Sequence, residues 1–139
     1  MCPILSIFDT VAVLCYTQDM KLVAQVKLLP TNGQFAALKQ TMETANAACN
    51  AISERAWESK EFRQYGLHKL TYHEIRTAFN LTAQVVVRCI AKVADAYKLD
   101  RNTKRTFKSY GSIAYDDRIL RWYVDRSEIS IWTMNGRDR

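Results

Sequence analysis

From Phe35 to Ala56 the apolar residues Phe35, Leu38, Met42, Ala45, Cys49, Ile52 and Ala56 recur at steps of three and four. At about 100° per residue they fall in one stripe about 100° wide, which only an α-helix turns to a single side. The spacing predicts a long amphipathic helix over 34–58. Just upstream the period is two. Leu22, Ala24, Val26 and Leu28 alternate against Lys21, Gln25 and Lys27, which predicts a half-buried strand ended by Pro30. Thr31-Asn32-Gly33 then supplies a turn and a helix cap.

Residues 59–70 read as a polar connection containing Tyr65-Gly66. Thr71-x-x-Glu74 has the form of a capping box, in which hydroxyl and carboxylate satisfy the free N–H groups of a helix start, so a short helix is expected from there to about Asn80. Thr82 is the next cap, opening a second long helix over 83–98. On its wheel Val86, Ile90, Val93 and Tyr97 share one side. Gln84, Arg88 and Lys92 form a row at i, i+4 and i+8 on the other, with Asp95 in the same polar sector. A basic linker follows, with Arg101, Lys104, Arg105 and Lys108 against Asp100. The period then returns to two, so 106–115, 119–124 and 129–134 read as short strands of an antiparallel meander, turned at Asp116-Asp117 and Arg126-Ser127. The order is a strand, then helices, then strands. It describes an α+β chain in which a small β lobe is interrupted by a helical insert.

Length and composition bound the function. The 139 residues include three Trp, seven Tyr and five Phe, enough apolar bulk for one modest domain or two small lobes and too much for a disordered tail. The net charge of +6 leans toward a phosphate-bearing partner. No run approaches the roughly 18 apolar residues of a membrane span. Residues 1–16 are apolar but lack a basic start, are broken by Asp9 and show no cleavage site after Cys15, so no secretory leader is expected. Cys2, Cys15, Cys49 and Cys89 are scattered without a C-x-x-C pair, which points to a reducing cytoplasm, no disulfide and no zinc site. Cys49 and Cys89 fall inside helical apolar patterns and read as small hydrophobes. His68 and His73 miss the i, i+4 spacing of paired helical ligands. With four glycines the chain holds no phosphate loop and no dinucleotide fingerprint, and no G-x-S-x-G elbow occurs. No catalytic residue, metal or cofactor is expected.

Three features bear on nucleic acid, each with a plainer reading beside it. The Gln84/Arg88/Lys92 row is either a phosphate-binding face or a solvated helix side. The linker from Lys98 to Lys108 interleaves cations with Phe107 and Tyr110, whose rings either stack on bases or pack in the β lobe. Residues 71–97 have the outline of a helix–turn–helix, although the turn Asn80-Leu81-Thr82 lacks glycine and helical hairpins without DNA are common.

Five segments carry a resemblance to a known family. They are MKLVAQVKLLPT at Met20 to Thr31, ACNAISERAWE at Ala48 to Glu58, FRQYGLHKLTYHEIRTAFNLTAQVVVRCIAKVADAYK at Phe62 to Lys98, FKSYGSIAYDDRIL at Phe107 to Leu120 and ISIWTMNGR at Ile129 to Arg137. In this order and spacing they resemble the N-terminal region of the TnpB (OrfB) family, transposon-encoded proteins related to type V CRISPR effectors. The likeness spans about 120 of the 139 residues.

The resemblance implies a wedge-type antiparallel β-barrel, incomplete here, built from 20–30 and 105–139 and split by a helical recognition insert and basic linker over 31–104. Residues 1–19 have no family counterpart and read as an extension. It further implies partners: a transposon-derived guide RNA, target-adjacent DNA and a separately encoded nuclease half, with no membrane. By the same implication Gln84, Arg88 and Lys92 are the candidate nucleic-acid face, and Tyr65, Lys69, Lys104 and Lys108 are further candidates. The family's RuvC-like nuclease carries three metal-binding acids, which hold two ions around the scissile phosphate. This sequence offers nothing in their place, so binding without cleavage is expected. The rival expectations are a small helix–turn–helix DNA regulator and a basic protein-interaction module.

Overall fold

A computed structural model describes the backbone of residues 4–6, 11–18 and 20–139, and side chains from Gln25 onward. Cys2, Asp9 and Asp19 lie outside the described residues, as does the side chain of Cys15. The architecture is α+β. Strands β1 (Ile4–Ser6), β2 (Val11–Gln18) and β3 (Met20–Lys27) precede helices α1 (Asn32–Ser59), α2 (Gln64–Phe79) and α3 (Ala83–Leu99). Strands β4 (Ile113–Ala114), β5 (Leu120–Tyr123), β6 (Glu128–Thr133) and β7 (Gly136–Asp138) follow. The chain divides into a β-rich unit, Met1–Met42 with Ser112–Arg139, and a helical unit, Glu43–Gly111. Helix α1 contributes its first turns to the one and its remainder to the other.

Two sheets make up the β-rich unit, and neither closes on itself among the described residues. One has the order β3-β2-β1-β4 and the other β5-β6-β7. All pairings are antiparallel. The strand predicted at 21–29 is β3, and its partner is β2, paired from Val11↔Lys27 to Gln18↔Met20. Most of the front segment expected to be an extension is therefore sheet. Asp116 makes the turn expected of it: its carbonyl accepts from the N–H of Leu120 at 2.9 Å and its carboxylate from that of Arg118 at 3.0 Å. The final hairpin, unanticipated in sequence, turns through Gly136 at φ +113, a conformation that side chains rarely adopt. Thr41 of α1 accepts from the Met134 N–H at 2.9 Å.

The cap of α1 is a genuine capping box. Gln34 N–H donates to Thr31 Oγ1 at 3.3 Å while Thr31 N–H donates to Gln34 Oε1 at 3.0 Å. Within the helical unit Ala45, Ala48, Cys49, Ile52 and Ala56 are buried, as the stripe requires. Fully burying a residue such as Ile52 contributes about 1.5–3 kcal/mol. Helix α3 buries Val85, Val86, Cys89, Ile90, Val93, Ala94 and Tyr97.

Two expectations are corrected. Helix α2 opens at Gln64, about two turns before Thr71. Thr71 is no cap: it is buried in the helix interior, with its hydroxyl donating to the Leu67 carbonyl at 2.7 Å. Glu74 pairs instead with Arg55 at 3.0 Å. The strand expected over 106–115 shrinks to Ile113–Ala114, because the backbone before it bonds to a helix rather than to another strand.

Candidate nucleic-acid interface

The α3 row is not a solvated face. Gln84, Arg88 and Lys92 are half-buried, and every residue from Ala83 to Ala94 is buried or half-buried. Lys92 Nζ donates to Asn46 Oδ1 at 2.6 Å and sits 5.1 Å from the centre of the Phe107 ring. Gln84 and Arg88 also interact with neighbours.

Beside Lys92 runs the segment 105–111, a strap bound to α1 at alternate residues. Ser53 Oγ donates to the Arg105 carbonyl at 2.5 Å, and Arg105 N–H donates to the Tyr97 hydroxyl at 3.2 Å. Asn50 accepts from Phe107 N–H at 2.8 Å and donates to the Phe107 carbonyl at 3.0 Å. Asn46 donates to the carbonyls of Ser109 at 3.1 Å and Gly111 at 2.8 Å. Residues 53, 50 and 46 thus meet 105, 107 and 109–111 in antiparallel order, and side-chain amides do the work of a neighbouring strand. Gly111 is needed there, since a Cβ would stand 3.1 Å from the Lys108 carbonyl and 3.3 Å from Asn46 Oδ1.

The strap consumes most of the linker's chemistry. Phe107 is half-buried beside Lys92, and the Tyr110 hydroxyl donates to Glu43, so neither ring stands out for stacking. Lys104 pairs with Glu54, Lys98 with Asp95 at 2.7 Å and Arg105 with Asp100 at 3.6 Å. The Asp100 carboxyl is held below the ordinary carboxylate range by the Asn102 N–H first, then by the Thr103 hydroxyl and the Arg105 charge. Among the linker cations, Arg101 and Lys108 are exposed and show no ion pair among the described residues.

Helix α2 presents the opposite picture. Tyr65, Lys69, Tyr72 and Arg76 recur at steps of four, three and four, so they share a stripe about 60° wide. Tyr65 is 72% exposed, Lys69 and Arg76 are exposed, and Tyr72 is half-buried. Lys69 Nζ lies 4.6 Å from the centre of the Tyr65 ring. Tyr72 stacks on His68 at 4.6 Å and meets His73 edge-on at 5.1 Å. The buried ridge of the helix, Leu67, Thr71 and Ile75, points elsewhere. The strip alternates rings with cations and contains no acid. Cations of this kind attract phosphates, while the rings offer faces for unpaired bases.

Tyr65 and Lys69 were legible as candidates; Tyr72, Arg76 and His68 were not. The signal for Tyr72 and Arg76, their i+7 and i+11 recurrence with Tyr65 and Lys69, is split when the helix is started at Thr71. Among the described residues no group of three or more His, Cys, Asp or Glu could hold a metal ion, and no helix is long and apolar enough to cross a membrane. Compared with protein-family models, curated proteins and solved structures, the chain matches none.

Proposed function

We propose that this chain is a nucleic-acid-binding module of a TnpB-like RNA-guided DNA endonuclease. Its β-rich unit corresponds to an incomplete wedge-type barrel and its helical unit to the recognition insert. It binds a transposon-derived guide RNA and target-adjacent DNA in the cytoplasm, with cleavage left to a separate nuclease half. The observation that carries the binding reading is the α2 strip of Tyr65, Lys69, Tyr72 and Arg76, exposed along most of its length and free of acids. The family assignment rests on the five resembling segments. Lys108 and Arg101 add exposed charge; Gln84, Arg88, Lys92 and Lys104 act mainly by shaping the unit.

A helix–turn–helix regulator is disfavoured by α3, because a recognition helix must lay an exposed face in the major groove and nothing from Ala83 to Ala94 is exposed. Binding of the full chain to a stem-loop RNA from the gene's own 3′ flank, to random duplex DNA and to a palindromic duplex tests the reading. The module binds the stem-loop best, with a strong salt dependence. A preference for one palindromic duplex supports the regulator instead, and salt-independent or absent binding to all three supports the interaction module.

A further inference from the structure

Helices α1 and α3 bring two cysteines against each other in the core of the helical unit. Cys49 is 0% and Cys89 4% exposed, and both are free thiols. Cys49 Sγ lies 3.9 Å from the carbonyl oxygen of Cys89. Cys89 Sγ lies 3.6 Å from the carbonyl oxygen of Ala45, one helical turn before Cys49. Each sulfur therefore rests on the other's helix at the level of its partner. Scattered in sequence, the pair is adjacent in space.

The surroundings make the two sulfurs unequal. The neighbouring Cys89 thiol lowers the Cys49 thiol despite its burial, and the Lys92 ammonium adds to the effect. The neighbouring Cys49 sulfur and burial push Cys89 well up. A thiol whose pKa is lowered beside one whose pKa is raised is an arrangement in which a first oxidation can be answered by a resolving thiol.

We propose that Cys49 and Cys89 are a redox pair, oxidised by hydrogen peroxide to an intramolecular disulfide joining α1 to α3. The Cys49 thiolate attacks one peroxide oxygen, the O–O bond breaks, and hydroxide leaves with the proton that Cys49 released, as water. Cys49 is then a sulfenic acid. The Cys89 sulfur attacks the Cys49 sulfur, the S–O bond breaks, and a second water carries away the Cys89 proton. Two thiols and one peroxide give one disulfide and two waters. Both sulfurs are buried, so the reaction waits on local opening of α3 from α1, and a small uncharged oxidant has the advantage. The closed bond spans 40 positions of sequence and lies under Lys92 and Asn46, locking the helix pair that holds the strap.

The folded full chain is treated with peroxide and digested without reduction, and the peptides are read by mass spectrometry. The proposal expects a cross-linked pair joining Cys49 to Cys89, lighter by two hydrogens than the separate peptides, released by dithiothreitol, with a higher Tm before release. In C89S the reaction stops at a Cys49 sulfenic acid that dimedone traps. The proposal is overturned if folded protein retains both thiols under peroxide, or if the cross-link forms only after unfolding in urea.

Discussion

Helices α2 and α3 each carry a polar row, and the two rows meet opposite fates. On α3, Gln84, Arg88 and Lys92 lie half-buried, with Lys92 bonded to Asn46. On α2, Lys69 and Arg76 stand in solvent, Lys69 beside the Tyr65 ring. A polar side is available to a ligand only if no other segment needs it. The strap 105–111 runs without a neighbouring strand; the Gly111 N–H closes a turn on the Lys108 carbonyl at 2.9 Å, and the other N–H and C=O groups require polar partners. Asn46, Asn50 and Ser53 supply them, and Lys92 completes the network through Asn46. Charge at Lys92 thus serves the fold, whereas charge on α2 stays in solvent.

The sharpest way to break this contrast is Asn46→Ala. Asn46 is 0% exposed, and its loss strands two strap carbonyls and removes one hydrogen bond from the Lys92 ammonium. The expected destabilisation is about 3 kcal/mol, read as a lower urea midpoint. Arg76→Ala on α2 should stay within about 0.5 kcal/mol in the same measurement. Equal costs would erase the distinction between the rows.

Lys92→Met tests the same contrast from α3. It removes one charge-assisted hydrogen bond while keeping the stem, and should cost about 1.5–3 kcal/mol. RNA affinity of the folded fraction should stay within about twofold, since a lost phosphate contact would cost more than that. A large drop in affinity at unchanged stability would return Lys92 to the binding face.

Among single-residue probes of binding, Tyr65→Ala is expected to weaken RNA affinity by about 5- to 100-fold, the range of one stacked base. Unfolding midpoints should barely move, because the ring is largely exposed.

The smallest effect concerns acid. Asp100 has its folded pKa depressed below the ordinary value, so its contribution is present above that value and fades as pH falls through the lower, folded one. Asp100→Asn should therefore lower the neutral plateau slightly and leave the acid end of the stability profile near wild type, flattening the acid limb between them. Asp100 is on the surface, so a steep acid limb that vanishes in this variant would contradict the assignment.

Elements whose apolar residues kept a clean period were legible. The stripe from Phe35 to Ala56 and the rows Val86, Ile90, Val93 and Tyr97 set α1 and α3 to within a turn, and alternation found β3, β5 and β6. Helix α2 hid because its buried ridge has threonine at its centre: Leu67, Thr71, Ile75. The same threonine, three before Glu74, imitates a cap. The strap was misread as strand because its backbone partners are polar side chains on a helix, a pairing no period-two pattern announces. Lys92 was found, but its neighbour Asn46, 46 positions away, left no trace in the wheel.

In the proposed module the α2 strip, not the α3 row, meets nucleic acid. The slope of log affinity against log salt for stem-loop RNA, compared between wild type and Lys69→Ala/Arg76→Ala, tests it most directly. Loss of two phosphate contacts should make the slope shallower by about 1.4–1.8 and leave the fold intact. An unchanged slope in that variant, with a reduced one in Lys92→Met, would contradict it.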